Sequence, residues 1–306
     1  LVTEEREHLG ETTQTQYVYD AFGNRVRVQE GESQVEASFD EHHRLLTQGD
    51  WTFTYNDYGQ LTSKTRGETD ETTRYQYNVL HQLQEVSLPN GQRIEYPLDP
   101  LGRRMGKTVN GELVSTFLYG HHLMPVAELD AQGNLRSRFL YASRSHVPEG
   151  MIRDGVLYRF VLDHRGSVRL VVNTETGEVA QRLDYNAWGE VLVDSAPGFQ
   201  PFGFAGGLYD ADTSLVRFGA RDYDPHIGRW TTSDPKGLFG RDLHLYRYSY
   251  NDPINRIDIL GLAPWYHYFD WLQPISDYSA GFGDYITGIP FTDTSVTHLI
   301  RESMGT

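Results

Sequence analysis

The stretch from Arg221 to Leu262 concentrates carboxylates that could carry acid–base chemistry. Its acids are Asp222, Asp224, Asp234, Asp242, Asp252 and Asp258, and three of them precede a proline. Two carboxyl groups can hydrolyse an amide when one is ionised and activates water while the other is protonated and polarises the carbonyl. Held close together, such a pair keeps one proton, because two like charges cannot both ionise cheaply. An aspartate before a proline is, however, most often a turn residue.

The composition excludes several classes of function. The chain has 306 residues and a net charge of −15, which argues against binding to duplex DNA or anionic membranes, because affinity for phosphates comes from Lys and Arg. Cysteine is absent, so disulfides and Cys-based zinc sites are excluded. No run of apolar residues is long enough to predict a transmembrane segment. The chain begins at Leu1 rather than Met, and we expect it to be a piece of a longer protein.

Neither a metal nor a cofactor is predicted. The histidine pairs at 42–43 and 121–122 are adjacent, so their side chains would point to opposite faces of a strand. The glycine-rich segment 203–207 lacks the strand and helix that flank a nucleotide-binding loop, and we interpret it as a turn.

The elements that must position the acids are copies of one short unit. In each copy an aromatic residue or Leu precedes Asp or Asn, and Gly follows three positions after that acid or amide; His43 and His81 take the Gly place in two copies. The first five copies are spaced at about 20 residues, which indicates a repeat architecture. The copies begin at Tyr19, Phe39, Tyr55, Tyr77, Leu98, Leu162 and Tyr185.

Each unit predicts a β-hairpin. Residues before the Asp alternate as they do in a strand, as in Tyr17-Val18-Tyr19. The Asp or Asn side chain then caps a turn in which Gly adopts a positive φ. Further hairpin turns are expected at Asn90, Asn110 and Asp154, each followed by Gly. The predicted fold is therefore mainly β, with stacked antiparallel hairpins in a long sheet that twists and curls.

This pattern resembles the YD (tyrosine-aspartate) repeats of the Rhs polymorphic toxin family. Downstream, Pro201–Asp210, Arg217–Pro225 and Ser233–Leu238 are similar to the core that closes Rhs proteins. The resemblance implies part of a hollow, cocoon-like β-shell around a toxin segment, with the core acting as a plug.

The resemblance also divides the chain into three parts. The YD-repeat shell would cover 1–196, and the Rhs core with its self-cleavage motif 197–262. The remainder, 263–306, would be the start of the toxin or variable segment, a short and partly helical tail.

Rhs proteins end their core with the motif P-x-x-x-x-D-P-x-G-L and are cut after the Leu. Here the motif is carried by Pro253, Asp258, Gly261 and Leu262, with Ile in place of the second Pro. The resemblance therefore implies a cut between Leu262 and Ala263.

The resemblance further implies an Arg-Asp pair followed twelve positions later by a second Asp, which here means Arg221, Asp222 and Asp234 as catalytic residues. Arg221 would hold one carboxylate in its ionised form. Asp224 stays the alternative acid, although we interpret it mainly as a turn former. Asp258, four residues before the cut, is interpreted mainly as a structural residue, and a role in orienting the strand that is cut or in assisting the cut stays open.

The function implied is a single-turnover aspartyl autoprotease whose shell releases a caged toxin in interbacterial competition, as a type VI secretion effector. Its partners would be its own C-terminal segment as cargo, the N-terminal remainder of the shell, an immunity protein and secretion-apparatus proteins. It would be made in the bacterial cytoplasm and delivered into a target cell. Two alternatives stay open: the C component of an insecticidal toxin complex, and a non-catalytic YD-repeat protein that binds carbohydrates or cell surfaces.

Overall fold

The computed structural model describes residues 2–8, 11–121, 123–237, 242 and 244–262. The predicted tail 263–306, including Ala263, lies outside the described residues.

Within these ranges, nineteen strands form one antiparallel sheet in which each strand pairs with the next along the chain. The predicted mainly-β fold of stacked hairpins is confirmed. The strands are β1 (Thr3–His8), β2 (Glu11–Tyr19), β3 (Arg25–Glu30), β4 (Ser33–Phe39), β5 (Leu45–Gln48), β6 (Trp51–Tyr55), β7 (Leu61–Arg66), β8 (Glu71–Tyr77), β9 (Leu83–Ser87), β10 (Arg93–Glu95), β11 (Gly106–Val109), β12 (Glu112–His121), β13 (Met124–Leu129), β14 (Leu135–Leu140), β15 (Gly150–Arg153), β16 (Val156–Leu162), β17 (Val168–Asn173), β18 (Val179–Tyr185) and β19 (Val191–Asp194).

The repeated turns have the predicted geometry. In the first, Oδ1 of Asp20 accepts hydrogen bonds from the backbone N–H groups of Phe22 (2.9 Å) and Asn24 (2.8 Å), and Gly23 has φ +84°. His43 and His81 take the same left-handed conformation, with φ +62° and +64°. The same capping recurs at the other predicted copies and at one that the sequence analysis missed, Leu129-Asp130 with Gly133. The capping residues are Asp20, Asp40, Asn56, Asn78, Asp99, Asp130, Asp163 and Asn186.

The sheet curls because most of these turns follow a β-bulge. The register shifts just before the capping residue, for example between Val18 and Tyr19 and between Asp184 and Tyr185, and each bulge increases the local twist. The two ends of the sheet consequently approach one another. The rings of Tyr17 and Trp188 lie 5.8 Å apart, and Oε1 of Glu4 accepts the backbone N–H of Ala187 at 3.0 Å.

A second, four-stranded antiparallel sheet follows, made of β20 (Leu208–Tyr209), β21 (Val216–Phe218), β22 (Arg221–Asp224) and β23 (Arg229–Trp230). We call the described residues between 197 and 262 the plug. Two 3₁₀ turns, Phe204–Gly206 and Ser249–Asn251, belong to it.

The plug packs on the inner face of the large sheet. Its aromatic residues, among them Phe204, Tyr223 and Tyr248, share one apolar core with β12–β18, and its Leu215 and Ile227 share another with β5–β10. Truncation of such buried aromatic residues typically costs about 3–5 kcal/mol, so this packing holds the plug strongly.

Plug side chains also form hydrogen bonds with the row of YD turns. In four of the turns, the residue with positive φ accepts a hydrogen bond at its carbonyl from a plug side chain. Each of these four turns is therefore bound by one plug residue. The donor–acceptor pairs are Asn251 with Gly23, Arg229 with His43, Tyr246 with Gly59 and Arg217 with Gly102.

Candidate active site

The segment that ends at Leu262 lies along the turn between β21 and β22. The backbone N–H of Ala220 donates to the carbonyl of Leu260 (2.9 Å), and Nε of Arg221 donates to the carbonyl of Gly261 (2.6 Å). Gly261 has φ +63°, and a Cβ there would collide with the carbonyl oxygen of Phe218. The glycine of the predicted motif is therefore what permits this close approach.

Arg221 joins the segment to two carboxylates. Its Nη2 donates to Oδ2 of Asp234 at 2.9 Å and to Oδ2 of Asp258 at 3.5 Å. The guanidinium is buried, stacks over the ring of Trp230 at 4.2 Å, and donates from Nη1 to the carbonyl of Leu245 at 3.1 Å. Because its other contacts are fixed, Arg221 brings Asp234 and Asp258 to one nitrogen.

Asp258 binds the backbone of the last residue before the predicted cut. Its carboxylate is buried, and Oδ1 accepts the backbone N–H of Leu262 at 3.2 Å. Covalent geometry puts the carbonyl carbon of Leu262 about 2.5 Å from that nitrogen. The carboxylate of Asp258 is thus close to the bond, and its sequence separation of four residues from the cut was the signal for it.

The charge balance around Arg221 favours a retained proton. Burial raises the pKa of Asp234 above its ordinary value, and neither Arg221 nor the backbone N–H of Lys236, which Oδ1 accepts at 2.8 Å, fully offsets it. Burial likewise lowers the pKa of Arg221, against the pull of Asp234 and Asp258. The carboxyl of Asp234 therefore keeps its proton to a higher pH than an ordinary aspartate does.

Asp222 occupies a different environment. It is adjacent to Arg221 in β22, so its side chain leaves the opposite face of the strand. Its Oδ2 accepts Nη1 of Arg217, the residue directly across on β21, and its Oδ1 accepts Nη2 of Arg104 from the large sheet, both at 2.7 Å. The structure therefore brings Asp234 to Asp258 and gives Asp222 other partners; the pairing of Asp222 with Asp234 stays a prediction.

The two remaining predicted residues have structural partners. Oδ2 of Asp224 accepts Nζ of Lys64 at 3.1 Å, and its Oδ1 caps the backbone N–H of His226. Burial alone would raise the pKa of Asp224, but Lys64 and His226 bring it below its usual value. Pro253 is buried, and its carbonyl accepts Nη1 of Arg165 at 3.2 Å.

The sequence analysis missed Arg104 and Arg217. Arg217 could have been found, because a hairpin with its turn at 219–220 places it opposite Asp222. Arg104 lies 118 residues from Asp222 and carries no local signal.

Among the residues that the structure describes, no three His, Asp or Glu side chains are grouped closely enough to hold a metal ion. The same ranges contain no helix with the length and apolar character needed to cross a membrane.

Comparisons with known proteins place this fold in a family. The Teneurin YD-shell family model matches residues 6–254. Teneurin-3 of Danio rerio is 31% identical over 262 residues, which cover 82% of this chain and 10% of the relative. The tRNA nuclease WapA of Bacillus subtilis (strain 168) is 28% identical over 265 residues, covering 83% and 11%. Double-stranded DNA deaminase toxin A of Burkholderia cenocepacia (strain H111) is 30% identical over 286 residues, covering 81% and 19%.

A solved structure has the same fold. The crystal structure of TcdB2-TccC3-Cdc42 aligns with a TM-score of 0.50 and 18% identity over 85% of this chain and 18% of the other. The chain spans about a tenth to a fifth of the length of the curated relatives named above. With its capped turns, curled sheet and plug, the chain belongs to the Teneurin YD-shell family, whose YD-repeat shell is also that of Rhs-type toxins.

Proposed function

We propose that this chain is part of a toxin-enclosing YD shell that hydrolyses its own backbone between Leu262 and Ala263. One observation carries the proposal: Asp234 and Asp258 meet on Nη2 of Arg221, while Asp258 accepts the N–H of Leu262. These contacts support a carboxylate pair that acts at the bond that the motif marks.

The reaction is a hydrolysis that consumes one water. The ionised carboxylate of Asp258 takes a proton from a water molecule, and the oxygen of that water attacks the carbonyl carbon of Leu262. The protonated carboxyl of Asp234 polarises and protonates the carbonyl oxygen. The C–N bond then breaks, the nitrogen of Ala263 leaves as an amine with a proton from the pair, and Leu262 ends as a carboxylate. The raised pKa of Asp234 supports its role as the acid.

A modest catalytic pair is sufficient for this role. The bond belongs to the same chain as the carboxyls, and a well-oriented intramolecular group can act at an effective concentration of about 10⁵ M or more. One turnover completes the reaction, so an open substrate cleft is not required.

The pair implied by the Rhs resemblance, Asp222 with Asp234, is the alternative. For Asp222 to act as a base it would have to give up two short ion pairs, with Arg104 and Arg217, inside the protein. Leaving a buried guanidinium unpaired is costly. We therefore assign Asp222 to holding β22 in place, and Asp234 and Asp258 to the chemistry.

Site-directed variants test the reaction. Intact mass and denaturing gels should show wild type broken into 1–262 and 263–306, and Asp234→Asn and Asp258→Asn uncut. Asp212→Asn, an exposed acid of the plug, is the matched control and should be cut as wild type is. A folded wild-type chain that stays intact would contradict the proposal. An uncut, folded Asp222→Asn beside a fully cut Asp258→Asn would assign the chemistry to Asp222 instead.

The relatives support a proposed biological setting for this reaction. Two of them are named as a nuclease and a deaminase toxin, which supports a shell whose C-terminal cargo is a toxin. Cutting would leave that cargo, beginning at Ala263, enclosed without a covalent tie. We propose that the protein is made in the bacterial cytoplasm and delivered into a target cell, by a type VI or similar apparatus, with an immunity protein protecting the producer. The C-component role in an insecticidal toxin complex differs only in the delivery machinery.

A second candidate is a non-catalytic shell that binds carbohydrates or cell surfaces. The exposed rings of Phe22 and Tyr58, each about 70% accessible at the tip of a YD turn, favour it, as does the similarity to a teneurin. An intact bond after Leu262, with loss of surface binding in Phe22→Ser and Tyr58→Ser, would support this candidate over self-cleavage.

A further inference from the structure

Three buried acids of the plug are each met by a cation from the large sheet. The distances between charged atoms are 2.6 to 3.1 Å, and the three carboxylates are each at most 6% accessible. We call these pairs the latch: Lys64–Asp224, Arg104–Asp222 and Lys107–Asp210.

The latch makes the stability of the plug depend on the sheet around it. A buried carboxylate is costly unless it is paired, so the cations of the sheet stabilise these acids in the plug; Asp222 is also paired with Arg217 of the plug itself. Lys64 comes from β7 and Lys107 from β11, while Arg104 lies between β10 and β11. The cations thus come from two parts of the repeat sheet, β7 and the start of β11.

Arg104 is itself held firmly by the sheet. Its guanidinium stacks on the ring of Tyr96 at 3.6 Å, and its carbonyl accepts the hydroxyl of Tyr119 at 2.8 Å. Its Nη2 then fixes Oδ1 of Asp222. The position of the Asp222 side chain therefore depends on the position of the large sheet.

The two faces of β22 are mechanically linked. Asp222 and Arg221 are neighbours on a four-residue strand, so rotation or sliding of the strand that moves one side chain moves the other. Arg221 is the residue that brings Asp234 and Asp258 together. Whatever holds Asp222 also sets the geometry at the bond after Leu262.

We infer that the chain can cut itself only when the large sheet is packed on the plug. Arg104 is the positioning residue in this dependence, because it holds Asp222 and, through β22, the position of Arg221. The inference rests on the proposed self-cleavage. It means that the chain does not cut itself until the shell has closed on the plug, so that the cargo is enclosed before it is detached.

The experiment follows cutting in the full chain. Uncut protein recovered from inclusion bodies in urea is diluted into native buffer, and the 1–262 fragment is followed on denaturing gels. Arg104→Gln should cut at least tenfold more slowly than wild type, and Arg104→Lys, which keeps the charge, should recover part of the rate. Arg103→Gln is the matched control, because Arg103 pairs with Asp99 inside its own turn, and it should cut at the wild-type rate.

Near-UV circular dichroism identifies the folded fraction, and rates are compared per folded molecule. If Arg104→Gln does not fold, the Lys64→Met variant is used instead, because Lys64 is partly accessible and its loss should destabilise the chain less. A cutting rate several-fold below that of wild type in this variant supports the inference. Folded Arg104→Gln or Lys64→Met chains that cut as fast as wild type would overturn it. A wild-type chain that folds and never cuts instead removes the proposed self-cleavage itself.

Discussion

The two faces of β22 use the same residue types in opposite proportions. On one face, one carboxylate, Asp222, is shared by two guanidiniums, those of Arg104 and Arg217. On the other face, one guanidinium, that of Arg221, is shared by two carboxylates. The ratio of carboxylates to guanidiniums in these contacts is therefore reversed between the two faces.

This difference separates anchoring from chemistry. An acid that binds two guanidiniums is fixed in position, which suits it to hold a strand. On the other face burial raises the pKa of Asp234, so this carboxyl keeps its proton to a higher pH than an ordinary aspartate, and acid–base hydrolysis needs such an acid. Chemically similar aspartates twelve positions apart, Asp222 and Asp234, thus have different roles because of the partners that surround them.

The largest expected effect is on stability, at the anchoring face. Asp222→Asn removes the carboxylate charge that Arg104 and Arg217 both bind and leaves two buried guanidiniums without that partner. The free energy of unfolding should fall by about 3–5 kcal/mol. Asp234→Asn should cost less, because Asp258 stays on Arg221. Urea unfolding followed by tryptophan fluorescence measures both variants, with intact mass run alongside so that cut and uncut chains are compared like with like. Equal losses in the two variants would erase the distinction between the faces.

The next effect concerns the rate of cutting as a function of pH. Burial raises the pKa of Asp234, so its protonated form persists to a higher pH than in an ordinary aspartate and is lost as the pH rises through that raised value. We expect cutting to slow as the pH rises above that value, by about tenfold for each further pH unit, because the acid form falls by that factor. Refolding of uncut chain into buffers across a range of pH gives the rates, and circular dichroism confirms folding at each pH. A rate that is flat or rises with pH would argue against an acid at Asp234.

The smallest expected effect is on the free energy of unfolding when an exposed ion pair of the latch region is removed instead of a buried one. Lys107 binds both Asp210, which is buried, and Asp212, whose side chain is 45% accessible. Asp212→Asn should change the free energy of unfolding by less than about 0.5 kcal/mol, because solvent screens an exposed pair. Asp210→Asn should cost clearly more in the same urea titration. If the two substitutions were equally damaging, burial would not be what gives the latch its strength.

Much of the shell could be predicted from short-range patterns. The turn at Asp20 needs only the side chain of residue 20 and the backbone up to residue 24, so the interaction is written within five consecutive residues. His43 and His81 were predicted in the Gly place and do adopt a positive φ. The copy at Asp130 follows the same pattern and was overlooked rather than hidden.

The assignment of partners to the acids could not be predicted in the same way. Asp258 was placed near the cut by its distance along the chain, and strand alternation puts Arg221 and Asp222 on opposite faces. No local pattern says that Arg221 binds Asp258, 37 residues away, or that Arg104 binds Asp222, 118 residues away.

By itself, then, the amino-acid sequence determined the hairpin unit, its repetition, and the motif that ends at Leu262. The tertiary structure alone decided which acids share a cation and which cations share an acid. The physical reason is range: a capped turn is stabilised by atoms within one turn of chain, whereas a buried ion pair depends on where a curled sheet delivers residues that are far apart in sequence.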